Sequence, residues 1–395
     1  MLLAGTEGAE GAEGAEGARA NNSALSANGV GGLDDLTPGG STAAAVHFSL
    51  LQEDLSAGLS LNNPSDPYGV TLPIIPDLPP PTPVDSAIRF ERLSPDIRFV
   101  NLMTEMMRPV HVSVHPTKQS ITVRHISLTP SKPNDEEWSG SFTALPVYTI
   151  SRPSQDFFKA QIPLVLQWAE LRAERASEVV AQIGIPLQYW ASLTDLNPTT
   201  HRYTIELIHL ATQFSSHLNQ ASKHHLGCPR PTAYSPWVHT IIRPRRFDCY
   251  PSGHALEAFL VAELLKRLMP DNAVMKRKLD LLASRIAMNR VIAGVHFPID
   301  AFASRAAALG LAEYIAARGT GGEMTWKSRA FIGATLAATD ALKYDEPLTL
   351  DGQAWVPPSI QQSAPAQSMF KLEPETDHRM GFVRHLWNKA KSEWL

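Results

Sequence analysis

Cysteine is scarce in this chain. Cys228 and Cys249 are the only two in 395 residues, too few for a disulfide framework, and a reduced compartment is the expectation. Charge is thin as well: Asp, Glu, Lys and Arg make up 19% of the chain, against about 25% in an average soluble domain. With 35 basic and 39 acidic residues the net charge is −4, so no global field recruits nucleic acid or acidic lipid. No long apolar run exists either. The greasiest stretch, residues 301–317, carries Arg305 and Glu313 and falls short of the ~18 residues a membrane span needs. The N-terminus shows no basic segment followed by an apolar one, as a signal peptide requires. These absences predict a cytoplasmic protein with no membrane insertion and no nucleic-acid partner.

What is present has a clear order. A content of 44% apolar residues excludes a wholly disordered or fibrous chain. Residues 7–18 repeat Glu-Gly-Ala four times, and six prolines fall between Pro73 and Pro83. Such composition cannot offset chain entropy by burial, so residues 1–85 read as a disordered, low-complexity and Pro-rich segment. Residues 86–150 read as an extension containing a β-hairpin. Its strands are His111–Val114 and Ile121–Leu128, which alternate apolar and polar residues around Pro116-Thr117-Lys118-Gln119, and no other strand signal is convincing.

From about residue 154 the period becomes helical. One helix is marked by Leu164, Trp168, Leu171, Val179 and Ile183, a second by Leu207, Ala211, Phe214, Leu218 and Ala221. A third runs from Ser252-Gly253-His254 to Met269, and a fourth from Ala273 to Ala293, stopping at Gly294. A fifth starts at Pro298, a favoured first helical position, and ends near Gly319. Thr325–Leu342 reads as a sixth helix. The expected fold class is all-α, with a helical catalytic core over 151–320 and a C-terminal helix and tail over 321–395. In that tail Phe382–Trp394 is the one amphipathic piece.

Three features carry chemistry. From Leu207 to Phe247 there is no Asp or Glu, while Lys223, Arg230, Arg243, Arg245 and Arg246 all occur. A one-sign region of this length is either an anion site or a basic loop facing solvent. Next, Pro251-Ser252-Gly253-His254 opens the third helix. A helix N-terminus suits an oxyanion, Ser252 adds a hydroxyl and Gly253 permits close approach. The plain alternative is an N-cap serine beside a satisfied histidine. Finally, Arg290 falls on the buried stripe of Leu279, Leu282 and Ile286, where a guanidinium needs an anionic partner. His296 follows at the corner after Gly294. Asp300 sits in the first turn of the fifth helix, as a dipole-complementing cap or as a hydrogen-bond partner of His296.

In order, Lys223-x6-Arg230-Pro231, Pro251-Ser252-Gly253-His254 and Arg290-x3-Gly294-x-His296-x3-Asp300 resemble the three-part signature shared by vanadium-dependent haloperoxidases and type 2 phosphatidic acid phosphatases. The resemblance spans Lys223–Asp300 and, more loosely, 151–318. It implies the helical-bundle core of that superfamily. It also implies that Lys223, Arg230, Arg290, Ser252 and the Gly253 N–H surround the oxygens of vanadate, with phosphate as competitor or substitute. His296 would be the axial ligand of vanadium, or the nucleophile of a phosphatase, and His254 the acid/base group opposite. Lys223 and Asp300 complete the catalytic set.

The absence of a spanning helix and the form Phe247-Asp248-Cys249-Tyr250-Pro251-Ser252-Gly253-His254 resemble the haloperoxidase branch, with Phe247 a neighbour of the halide. Gln220 stands three before Lys223, where a chloride-oxidising relative has Trp, so bromide or iodide is favoured over chloride. The implied partners are halide, hydrogen peroxide and a small organic acceptor, and a homo-oligomer is allowed. Three alternatives stay open. A soluble acid phosphatase would use a phosphohistidine intermediate at the same site. A zinc hydrolase using His224, His225 and Cys228 lacks a His-Glu-x-x-His or paired Cys-x-x-Cys signature. A catalytically silent anion-binding scaffold is the third.

Overall fold

The computed structural model describes residues 83, 86–130, 140–184, 186–244, 247–320, 324–332, 369–372 and 381–395. The low-complexity and Pro-rich segment expected over 1–85 lies outside these residues except for Pro83. From Ser86 onward the described residues belong to one compact unit. It is mostly helical with a small sheet.

Helices α1 (Ala87–Arg92) and α2 (Pro95–Met107) precede strands β1 (Val110–His115), β2 (Ser120–Pro130) and β3 (Gly140–Ser151). Then come α3 (Gln155–Trp168), α4 (Arg172–Ala181), α5 (Leu187–Thr194), α6 (Arg202–Leu226) and the single turn α7 (Pro231–Tyr234). Helices α8 (Gly253–Leu268), α9 (Ala273–Ile292) and α10 (Pro298–Thr320) follow. The short strands β4 (Met324–Lys327), β5 (Arg329–Ile332) and β6 (Met369–Leu372) precede α11 (Phe382–Ser392).

Helix α8 is the centre of the core. It is apolar on nearly every side, as a helix buried all round must be, and every residue from Gly253 to Leu265 is buried between α6, α9 and α10. Its inward Glu263 is satisfied by Arg305 Nη1 at 2.8 Å, Lys266 Nζ at 2.8 Å and Arg267 Nη1 at 2.6 Å. Burial alone would raise that carboxyl, but the three cations hold it well below the usual carboxylate range. Helix α10 approaches α8 along an alanine-rich face. It meets the sheet at Gly310, where an added Cβ would lie 2.6 Å from Val147 O. Helix α11 ties three helix ends together. Glu105 of α2 accepts from Phe382 N and Val383 N, Glu393 accepts from Tyr203 N and Thr204 N, and Lys391 donates to Arg267 O and Leu268 O.

The sheet departs from the sequence expectation. β1 and β2 pair antiparallel from Val110↔His125 to His115↔Ser120, but they are two strands of a four-stranded sheet ordered β1-β2-β3-β5. β3 leaves only a weak trace in the sequence because Pro146 interrupts it. That proline sits beside a register shift opposite Val123/Arg124, the place where a sheet tolerates a missing donor. The start of the sixth helix expected over Thr325–Leu342 is wrong: Met324–Lys327 and Arg329–Ile332 are strands, held by pairing with β6 and β3. Residues 333–342 of that expectation lie outside the described residues. The tail, read as loop before Phe382, contains strand β6. The helix read from Leu164 to Ile183 is two, α3 and α4, separated by a 3₁₀ turn over Ala169–Leu171, and α5 has no counterpart in the sequence reading.

Candidate oxyanion site

Five pieces of chain carry the candidate residues: the last turn of α6, the loop from Gly227 to Ser252, the start of α8, the end of α9, and the corner from Ala293 into α10. The basic stretch 207–247 is only partly exposed. His217, His224, His225, His239 and Arg243 are exposed, whereas Lys223 and Arg230 are 2% and 6% exposed. Buried cations are rare and require a reason.

Lys223 and Arg230 both lie over one aromatic ring. The Phe247 ring lies 4.6 Å from Lys223 Nζ and 4.9 Å from Arg230 Cζ, a cation–π arrangement on both. Arg230 is aimed by two carbonyls, donating from Nε to Phe247 O at 3.1 Å and from Nη1 to Val295 O at 3.0 Å. The second bond places its guanidinium beside the residue preceding His296.

His296 is buried, and its Nδ1 lies 2.8 Å from Asp300 Oδ2. A carboxylate only accepts, so Nδ1 carries the proton and the Nε2 lone pair points away from Asp300. Nε2 is buried with no hydrogen-bond partner among the described residues. Burial is the main reason the His296 pKa falls to about 4. Asp300 works the other way, and the Arg230 and Lys223 cations lower it further. The result is a neutral imidazole with a buried, unengaged electron pair in the field of two cations. Asp300 fills both roles read from sequence, because the same Oδ2 also accepts from Phe297 N at 3.1 Å.

Ser252 caps α8, its Oγ accepting from Ala255 N at 3.5 Å, as the plain structural reading has it. Its backbone is tied to the His296 corner. Ser252 N donates to Asp300 O at 3.4 Å, and Ser304 Oγ lies 2.8 Å from Ser252 O and 2.6 Å from Asp300 O. Gly253 opens the helix, where its N–H falls outside the helical ladder. Two buried thiols lie alongside: Cys249 N donates to Cys228 O at 2.9 Å, and both cysteines are free. Burial pushes the Cys228 thiol up to about 12.

Arg290 and His254 are both held by the end of α4. Arg290 Nη2 donates to Val179 O at 2.9 Å and lies 3.4 Å from Gln182 Oε1. His254 Nε2 lies 3.1 Å from Ile183 O; a carbonyl only accepts, so Nε2 carries a proton and Nδ1 is the nitrogen left for other partners. Residue spacing gives no hint of this turn; Val179 and Ile183 read only as marks of an apolar stripe. Gln182, a polar residue between them, is the one available signal.

His224 and His225 are exposed while Cys228 is fully buried, so the three do not converge. Among the described residues no group of three or more His, Cys, Asp or Glu is placed to hold a metal ion, and no helix is long and apolar enough to cross a membrane. No curated protein matches the chain. Residues 207–318, which carry Lys223, Arg230, Ser252, Gly253, His254, Arg290, His296 and Asp300, match the model of the PAP2 superfamily, which includes vanadium haloperoxidases and phosphatases.

Proposed function

We propose that the protein is a vanadate-dependent haloperoxidase, oxidising bromide or iodide with hydrogen peroxide to a hypohalous species. The observation that carries the reading is His296: a buried neutral imidazole, oriented by Asp300, whose Nε2 has no partner among the described residues. A neutral imidazole nitrogen is a metal donor, and the Lys223 and Arg230 cations that lower its pKa suit an anion on that side. In this reading Lys223, Arg230, Arg290, Ser252 and the Gly253 N–H hold vanadate, with His296 as its one protein ligand. When bound, vanadate supplies Lewis-acid activation of peroxide. The chain's own residues do the rest. Asp300 keeps the proton on His296 Nδ1, and His254, whose Nε2 is held by Ile183 O, takes and returns a proton at Nδ1. Phe247 packs its ring against Lys223 and Arg230.

A second reading, a soluble acid phosphatase, draws on the same lone pair. His296 Nε2 would attack phosphorus and displace the alcohol, which takes a proton from His254 in its imidazolium form, through Nδ1; water would then hydrolyse the phosphohistidine and return a proton to Nδ1. Purified protein loaded with orthovanadate tests the pair. Peroxide-dependent bromide or iodide oxidation, inhibited by phosphate, supports the first reading. Vanadate-inhibited hydrolysis of a phosphate monoester without peroxidase activity supports the second. Neither activity, with no phosphate or vanadate binding, refutes both.

A further inference from the structure

Arg290 is fully buried, and a side chain outside the family-matched stretch takes hold of it. Gln182 ends α4, is fully buried, and its Oε1 lies 3.4 Å from Arg290 Nη2 and accepts from Asn289 Nδ2 at 2.9 Å. Its Nε2 donates to Glu178 Oε1 at 2.9 Å. Only the amide nitrogen can donate to a carboxylate, and only the amide oxygen can accept from Asn289 and Arg290. The orientation of the amide is therefore determined from both ends. Glu178 is itself pinned. Arg285 donates to it from Nε at 2.8 Å and from Nη2 at 2.6 Å, and Asn289 Nδ2 donates to it at 2.9 Å. Arg175 Nη1 stands 3.8 Å away. The same guanidinium of Arg290 donates to Val179 O, in the last turn of α4, where carbonyls carry partial negative charge.

We propose that Gln182 is a positioning residue for oxyanion binding, aiming Arg290 with a neutral acceptor while the anionic Glu178 is kept one side chain further back. This rests on the oxyanion reading above. An acid at 182 would hold the guanidinium equally well but would cancel its field at the anion. An amide holds it without adding a negative charge beside the anion. Glu178 cannot substitute for Gln182, because its charge is matched by Arg285.

Gln182→Glu separates this role from simple packing. A protonated carboxyl reproduces the wild-type pattern, its hydroxyl donating to Glu178 and its carbonyl accepting from Arg290. Burial and the neighbouring Glu178 carboxylate raise its pKa. On ionisation, a full negative charge lies against Arg290. The measurement is calorimetric titration of wild-type and variant protein with inorganic phosphate across pH, each variant compared with wild type at the same pH. The expected result is near-wild-type affinity at about pH 5 and a loss on the order of ten- to a hundredfold at about pH 8.5, from one unit charge several Å from the anion. Gln182→Met, which keeps the volume but neither accepts nor donates, is expected to lose affinity about tenfold at every pH. Circular dichroism and thermal melting establish that each variant folds. Wild type that binds no phosphate overturns the oxyanion reading itself. Wild type that binds, with Gln182→Glu tracking it over the whole range, overturns the role of Gln182. If Gln182→Glu does not fold, an unchanged affinity in Gln182→Met does the same.

Discussion

Asp300 is the residue whose replacement tests the site most sharply, because one oxygen does two jobs. Its Oδ2 accepts from His296 Nδ1 at 2.8 Å and from Phe297 N at 3.1 Å, while its Oδ1 has no partner among the described residues. In Asp300→Asn the Phe297 N–H requires an oxygen at the Oδ2 position, so the new NH₂ falls where Oδ1 was. The His296 Nδ1–H then keeps an acceptor, the tautomer survives, and only the negative charge behind the ring is lost. Loss of an outer partner of this kind costs about 10–100-fold in activity or ligand affinity. The buried NH₂ adds a desolvation cost of about 1–3 kcal/mol. Asp300→Ala instead strands both the His296 and Phe297 donors, at about 1–3 kcal/mol each, and frees the ring to turn. Activity should then fall about 10²–10⁴-fold, the usual reach of a positioned acid–base group. The assays are urea unfolding, steady-state turnover in whichever of the two reactions the wild type performs, and ¹⁵N NMR of the imidazole for the tautomer. An order of wild type, then Asn, then Ala is expected, with Nδ1–H retained in the Asn variant. An Asn variant with the proton on Nε2, or an Ala variant as active as wild type, would refute the reasoning.

Gly294 has φ +78°, and an added Cβ would lie 2.5 Å from His239 O and 2.7 Å from Arg172 Nη2. Gly294→Ala should therefore destabilise by about 1–3 kcal/mol, read as a fall in denaturation midpoint, and should displace the His296 corner enough to weaken phosphate binding. Glu393→Ala removes the carboxylate that accepts from Tyr203 N and Thr204 N at the start of α6; about 1–2 kcal/mol of stability should be lost, as for other helix caps, and a thermal melt shows it. His209 is buried and stacked on Phe99 at 4.6 Å, and burial lowers its pKa from 6.5 to about 4. Between those values the unfolded chain binds the extra proton, so this contribution is complete above pH 6.5 and is lost as pH falls towards 4. His209→Gln should flatten that acid limb in a series of unfolding curves, and an unchanged slope would show that His209 is not its source.

The sequence by itself determined the long helices α6, α8, α9 and α10 of the core. An all-round apolar helix beginning Ser252-Gly253-His254 has to be buried, and Pro298 and Gly294 mark a corner whatever lies around them. Those signals are local, repeating every three to four residues or set by one backbone conformation. Tertiary structure decided what local signals cannot carry. Met324–Lys327 and Arg329–Ile332 became strands because β6 and β3 supply their hydrogen-bond partners, although their composition also allowed a helix. Asp300 could be read from sequence as a helix cap or as a partner of His296, and only the placement of two donor nitrogens around Oδ2 makes it both. Least legible was the turn from Val179 to Ile183. It lies more than a hundred residues before Arg290, which it meets through the Val179 carbonyl and the Gln182 side chain, and it meets His254 through the Ile183 carbonyl; a carbonyl looks the same in every sequence. Long-range pairing of main-chain oxygens with buried charged side chains leaves almost no mark on residue type, so it is decided by the fold alone.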